Sequence, residues 1–473
     1  MSLEHTLQKS SPGAKMSTDI IDNNYFKELC MAKATFTFPS GFLWGTATAA
    51  HQVEGNNTNN TWWAWEQETG HILNGDKSGL ACDWWGGRWR EDFERAAECR
   101  QNSHRFSIEW SRVQPAPDRW DEYALEHYRD MARGLIERHM TPMATLHHFS
   151  DPIWLAEMGS WEIDDIVKYF EAFVRKTVEA LKEYISAWVT INEPNIFAAL
   201  AYQQGQFPPG KKDFASARKV IMNLLKAHAT AYRVIHQIQP QAQVGIAPQY
   251  LSIHPKKPWS PLDRWTAGLM NNVMNEAIPR TIRTGILTLP GMRRQLVEVK
   301  NTWDFIGIQY YTREYINFDL GKASDLFIHR SYREEAEKSD GNWLANEPEG
   351  MFEALKWGQQ FNIPIIITEN GVNDKDDHLR PRYLIQHLHQ VWRAINFNIP
   401  VKGYYHWSLV DNFEWERGWT QRFGLWELDI ETQARRKRPS VDLYAEICRQ
   451  NGISSDIVAH YAPQLLAKLF PDE

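Results

Sequence analysis

The 473-residue chain is 43% hydrophobic and 23% charged, and 52 Lys and Arg against 59 Asp and Glu leave a net charge of −7. This is the composition of a globular protein with a large core. An acidic chain without basic blocks is unsuited to nucleic acid or anionic membranes, and no apolar stretch approaches the ~18 residues of a membrane span.

The first segment, 1–35, is polar and lacks the apolar centre of a signal peptide. It is expected to be a disordered or loosely docked leader, with Met16 or Met31 as alternative starts. No linker or short repeat divides 36–453, and 454–473 is set apart as a C-terminal tail. Short apolar runs of strand character fall at 42–45, 104–108, 141–146, 187–191, 244–247, 305–310, 364–368 and 401–406.

Helical periodicity fills the intervals. Ile166, Phe170, Phe173, Val174, Leu181 and Ile185 make one apolar stripe. Ile221, Leu224, Leu225 and Ile235 make another before the fifth run, and Leu384, Leu388, Val391, Trp392 and Ile395 a third before the eighth. Strands alternating with helices predict a parallel sheet, and eight is the number that closes a (β/α)8 TIM barrel with long βα loops. The competing open, doubly wound sheet usually carries a Gly-rich phosphate loop after its first strand, and none is present.

The cysteines Cys30, Cys82, Cys99 and Cys448 show no CxxC spacing. They argue against zinc and a disulfide framework and fit a reducing cytoplasm. The sequons at Asn56 and Asn59 are read as chance. The run Arg435-Arg436-Lys437-Arg438 is read as a solvated surface turn. The 22 Trp, 17 Tyr and 21 Phe suit flat binding surfaces, although a large core accounts for many of them.

In such a barrel the active site lies at the C-terminal ends of the strands. Those ends are unusually polar: Arg105, His147-His148, Asn192-Glu193, Tyr310-Tyr311, Glu369-Asn370 and Trp407, with Asp411, Asn412, Glu414 and Trp415 close behind. Carboxylates and amides grip sugar hydroxyls, and indole stacks on the apolar face of a pyranose ring. Glu193 and Glu369 each follow a β-branched strand end. Glycoside hydrolysis needs two such carboxyl groups flanking one bond. Taken singly, each is better explained by a surface or salt-bridged Glu; two of them, at the ends of strands four and seven of a Trp-rich barrel, reverse that preference. The adjacent pair His147-His148 does not read as a metal site, because neighbouring strand residues point to opposite faces.

From 36 to 453 the chain resembles the retaining β-glycosidases of glycoside hydrolase family 1, the β-glucosidase family. The resemblance is carried by FPSGFLWGTATAAHQVEG (38–55), HRFSIEWSRVQP (104–115), TINEP (190–194) and DFIGIQYYT (304–312), followed by EPEGM (347–351), IITENG (366–371), HWSLVDNFEWERG (406–418) and RFGLWELD (422–429). It implies an exo-acting O-glycosyl hydrolase without cofactor or metal, with Glu193 as general acid/base and Glu369 as nucleophile, roughly 5–5.5 Å apart. Arg105 and Tyr311 would hold the nucleophile ionised, though an Arg–Glu pair also braces a barrel. Asn192 would contact the 2-hydroxyl. Gln52, His148, Trp407, Glu414 and Trp415 would bind the sugar, Gln52 being equally readable as a loop-capping amide.

The leaving-group side is expected to include Trp154, Met158, Asn195, Phe197 and Trp343, an apolar mouth for aryl or oligosaccharide groups. The partners implied are neutral small sugars: β-glucosides, cello-oligosaccharides and aryl β-glycosides. Three departures from the family pattern stand out: Gln309 where Asn is usual, Phe149 where many relatives have Trp, and His406, read as barrel packing. Transglycosylation, 6-phospho-β-glycoside hydrolysis and a non-catalytic sugar-binding role remain as alternatives. Glu193 is present where a thioglycosidase of the myrosinase kind would lack it.

Overall fold

The computed structural model describes residues 34–471. Met16, Met31, Cys30 and most of the expected leader lie outside the described residues. Eight parallel strands close into a barrel: β1 (Leu43–Ala47), β2 (Ser103–Ser107), β3 (Thr141–His147), β4 (Ala187–Asn192), β5 (Gln243–Ala247), β6 (Phe305–Gln309), β7 (Ile365–Asn370) and β8 (Val401–Trp407). Neighbours pair in chain order, and β8 returns to β1, with Tyr404 opposite Trp44 and Trp407 opposite Ala47. The barrel expected from the strand–helix alternation is the observed fold, with each predicted strand found within two residues of its place. Closure removes the free sheet edges that an open architecture would leave.

Tight contacts between strands explain why some barrel residues are small. A Cβ on Gly45 would come within 2.7 Å of the Ser103 carbonyl oxygen and the Tyr405 ring, so only glycine lets β1 and its neighbours approach. The predicted apolar stripe lies on the helix Ile166–Leu181, which buries Ile166, Phe170, Phe173, Val174, Thr177, Val178 and Leu181 against the barrel. The 25-residue helix Phe214–Ile238 starts at Asp213, whose carboxylate accepts the Ser216 N–H at 2.7 Å. Six of the 22 tryptophans, Trp44, Trp62, Trp84, Trp110, Trp161 and Trp188, are fully buried and serve the core.

One expectation outside the barrel needs revision. The basic run is not a turn, and only its middle residues, Arg436 and Lys437, are solvated. Arg435–Lys437 is a strand paired with Trp426–Leu428. Arg435 reaches Asp92 at 2.9 Å with neither side chain exposed, and Arg438 donates to both oxygens of Asp411 at 2.9 Å. Buried carboxylates require buried cations, and the two partners come from distant parts of the chain, so no local pattern marks them. The segment after 453 is docked. Gly452–Ser454 pairs antiparallel with Thr35–Thr37, and the helix Ser455–Tyr461 follows, with Phe470 packed on Phe36 at 4.5 Å. Among the described residues no helix is long and apolar enough to cross a membrane.

Candidate active site

Glu369 lies within β7, and Glu193 is the first residue after β4. Both face a cavity of about 610 Å³ at the C-terminal mouth of the barrel. Glu193 adopts the left-handed conformation, φ 38° and ψ 57°, which costs a residue with a Cβ about 1–2 kcal/mol. Its N–H donates to the Ala247 carbonyl at 2.7 Å on β5, and its own carbonyl accepts the Phe197 N–H at 2.9 Å. Pro194 then starts the short helix Pro194–Phe197, where its missing N–H costs nothing.

The two carboxyl groups have unequal surroundings. Glu369 accepts three side-chain hydrogen bonds: Arg105 Nη1 at 2.7 Å and Gln309 Nε2 at 2.8 Å on Oε1, and the Tyr311 hydroxyl at 2.7 Å on Oε2. Arg105 is itself fixed across the barrel, donating to Thr145 Oγ1 at 3.0 Å and Asn192 Oδ1 at 2.5 Å. Gln309 also donates to Asn192 Oδ1, at 2.6 Å. The longer amide that replaces the family's usual Asn therefore links the strand ends of β4 and β7. No side-chain donor among the described residues serves the Glu193 carboxyl.

Protonation follows from that inequality. Burial, then the neighbouring Glu369 charge, hold the Glu193 carboxyl well above the ordinary carboxylate range, with Arg105 opposing. Burial also raises Glu369, but Arg105, Tyr311 and Gln309 all work against it. A proton shared by this pair therefore resides on Glu193. Burial, with Glu416 and Glu369 nearby, pushes Glu414 up to about 8.

The remaining sugar-binding candidates surround the pair. His148, Asn192, Trp407, Glu414 and Trp415 line the cavity. His148 is tied to Ser107 Oγ at 3.0 Å through Nδ1, and burial keeps its imidazole neutral. The Trp415 ring is braced by Trp62 at 4.9 Å and Phe149 at 5.2 Å. Gln52 is fully buried and does not line the cavity; its Nε2 lies 3.2 Å from Glu414 Oε2 and 2.8 Å from the Phe413 carbonyl oxygen. Gln52 Oε1 and Asn192 Nδ2 are buried polar atoms without a hydrogen-bond partner. Asn192 lines the cavity, so its Nδ2 is free to serve a ligand there. His406 is buried and held neutral, with a pKa near 3, as expected of barrel packing.

Of the five leaving-group candidates, only Trp343 lines the cavity. Trp154 is buried, donating its indole N–H to the Gln114 carbonyl at 2.9 Å and packing on Trp110. Asn195 is consumed by the carbonyls of Gln249 and Met274 at 2.8 and 3.0 Å. Phe197 packs on His147 at 5.1 Å, and Met158 is exposed away from the cavity. These residues follow strands three and four in sequence, but their turns aim them into the shell around the barrel. The outer cavity is built instead from segments around 196–207, 269–274 and 313–332. Their Met, Val and Ile residues have the spacing of ordinary core, so nothing local distinguishes them. His147 pairs with Asp151 at 3.1 Å, and no cluster among the described residues could hold a metal ion.

Comparison with known proteins agrees with this geometry. Residues 34–453 match the model of glycosyl hydrolase family 1. A β-glycosidase structure from Pyrococcus horikoshii superposes with a TM-score of 0.85 at 34% identity, covering 90% of this chain and 98% of that one. β-Glucosidase A of Thermotoga maritima is 30% identical across 88% of this chain and 98% of its own. A β-galactosidase of Sulfolobus acidocaldarius is 28% identical across 89% of this chain and 97% of its own. With a closed barrel, paired glutamates at its mouth and a family match across most of its length, the chain belongs to glycosyl hydrolase family 1.

Proposed function

We propose that this family 1 β-glycosidase is a β-glucosidase in which Glu369 is the nucleophile and Glu193 the general acid/base. The observation that carries the assignment is the unequal supply of donors. Three hydrogen bonds keep Glu369 ionised, while Glu193 has none and holds the proton. In the first step the Glu369 carboxylate attacks the anomeric carbon, and the Glu193 proton passes to the departing oxygen as its bond breaks. The ester that forms has no charge on Glu369, so the repulsion that raised Glu193 disappears. Glu193 then becomes a base able to deprotonate water. That water displaces Glu369, and the β configuration is retained.

His148, Asn192, Glu414 and Trp415 would grip the hydroxyls of a non-reducing terminal glucosyl unit, with Trp407 as its stacking floor and Gln52 holding Glu414 from behind. Arg105 and Tyr311 would orient the nucleophile, and Trp343 would stand on the leaving-group side. The relatives named β-glucosidase and β-galactosidase support tolerance at C4, extending to β-galactosides, and β-fucosides would need tolerance at C6 as well. Glu414 disfavours a phosphorylated ring, and retention of both glutamates disfavours a sugar-binding role without turnover. Transfer to a second sugar would use the same covalent intermediate. The buried free thiols of Cys82, Cys99 and Cys448 support a cytoplasmic location.

The deciding experiment is Glu369→Ala assayed on an aryl β-glucoside. Turnover is lost and returns with azide as an α-configured glycosyl azide. Normal β-glucose formation by that variant would overturn the assignment. Glu193→Ala slows substrates with poor leaving groups far more than activated aryl glycosides, and equal losses would remove its acid role.

A further inference from the structure

Next to the paired glutamates lies a buried polar cluster that the reaction steps leave unused. Its centre is Asn370, the last residue of β7 and the chain neighbour of Glu369. The Asn370 amide oxygen accepts the Tyr404 hydroxyl at 2.9 Å, which fixes the way the amide points. Its nitrogen donates to the Tyr310 carbonyl at 2.6 Å, and lies 2.8 Å from the Tyr383 hydroxyl and 3.2 Å from His387 Nδ1.

Tyr383 carries this order onward. Its single hydroxyl proton is donated to the Tyr311 carbonyl at 3.0 Å, so its oxygen accepts from Asn370. No backbone N–H serves the Tyr311 carbonyl among the described residues. Tyr311 lies just past the end of β6, and its own hydroxyl is the 2.7 Å donor to Glu369 Oε2. Tyr383 itself is fully buried on the helix Arg380–Asn396 and stacks on His387 at 3.7 Å. Burial keeps His387 neutral, so Nδ1 accepts from Asn370 and the protonated Nε2 faces Asn346 Oδ1 at 3.3 Å. One rigid phenol thus ties the residue beside Glu369 to the residue that donates to Glu369, and Tyr383 does not line the cavity.

We propose that Tyr383 is a positioning residue for the first chemical step: by tying the Tyr311 carbonyl to Asn370, it sets the reach of the Tyr311 hydroxyl to Glu369. This rests on the reading of Glu369 as nucleophile and adds a residue that acts on it at one remove. Hydrogen bonds weaken steeply with misalignment, so releasing the carbonyl is felt at the hydroxyl end of the same residue. The charged and titratable groups facing Glu369 besides Tyr311 are Arg105, Glu193 and Glu414. Tyr383 hydrogen-bonds to none of these, so its effect on Glu369 runs through Tyr311.

The test is a double-mutant cycle of Tyr383→Phe and Tyr311→Phe. Phenylalanine keeps the ring stacked on His387 and removes only the hydroxyl. The probe is a dinitrophenyl β-glucoside carrying fluorine at C2, which esterifies the nucleophile as dinitrophenolate leaves. Its rate is followed across pH, and peptide mass spectrometry locates the ester. Tyr383→Phe lowers the saturating rate about fivefold and leaves the half-saturating concentration within about twofold. The acid limb moves up by roughly half a pH unit, because a weakened donor raises the Glu369 pKa. In the Tyr311→Phe background the same change costs less than about twofold and moves the limb no further. Equal losses in both backgrounds, or an unmoved acid limb, with the ester on Glu369, overturn this proposal alone. An ester on another residue overturns the nucleophile reading and the proposal together.

Discussion

Gln309 is one of the three positions at which the sequence departs from the expected pattern, and replacing it tests how the proposed nucleophile, Glu369, is kept charged. Gln309→Leu preserves side-chain bulk while removing the 2.8 Å donor to Glu369 and the 2.6 Å donor to Asn192. A hydrogen bond to a charged group contributes about 1.5–3 kcal/mol, which corresponds to a ten- to hundredfold loss in kcat/KM on an aryl β-glucoside. Arg105 remains bonded to both Glu369 and Asn192, so the lower end is expected. The sign of the pH effect is definite. Donors to the ionised carboxylate stabilise it, so losing one raises the Glu369 pKa. The acid limb of the kcat/KM profile then moves up by about one pH unit. Thermal stability changes little, because the substitution also removes the unpaired buried Gln309 Oε1. An unmoved acid limb, with kcat/KM within about threefold of the parent, would refute this account of the nucleophile.

Glu414→Gln abolishes glucoside turnover yet stabilises the fold near pH 8. The folded-state pKa of Glu414 is raised to about 8, so its burial penalty grows as pH rises from the unfolded value of 4.5 through 8. Tm therefore rises at pH 8, by the equivalent of up to about 4 kcal/mol, and does not rise at pH 4.5; equal Tm gains at both would contradict it. Arg438→Ala leaves Asp411 buried with only Arg422 nearby, at 3.7 Å, and costs about 3–5 kcal/mol in denaturant unfolding. Gly371→Ala drives a methyl group to within 1.9 Å of the Trp407 carbonyl oxygen. Displacing the sugar floor lowers kcat/KM by about a hundredfold with unchanged secondary structure by circular dichroism, and a fully active variant would contradict the role given to Trp407.

The barrel and the position of its paired glutamates were legible because both depend on short-range chemistry. Alternating apolar runs such as 141–146 and the stripe from Ile166 to Leu181 repeat at the periods of strand and helix, and these periods are local properties of the backbone. Glu193 and Glu369 sit at strand ends, where the topology of a parallel barrel makes every side chain converge on one mouth. The leaving-group side was not legible in this way. Trp154, Asn195 and Phe197 lie in the one-turn helices Ile153–Glu157 and Pro194–Phe197, which are too short to carry a repeating pattern that shows their direction.

Residue identity thus specified the barrel, its active end and the chemistry available there. Barrel closure decided how that chemistry is divided. Arg105 reaches Glu369 across 264 residues of chain, and Gln309 and Tyr311 arrive from β6 and the loop after it. Only with these donors in place do two similar glutamates acquire different protons. The same distance explains Arg435 and Arg438, surface-like in sequence and buried in the fold. Electrostatic pairing acts through space, and its partners need no proximity along the chain.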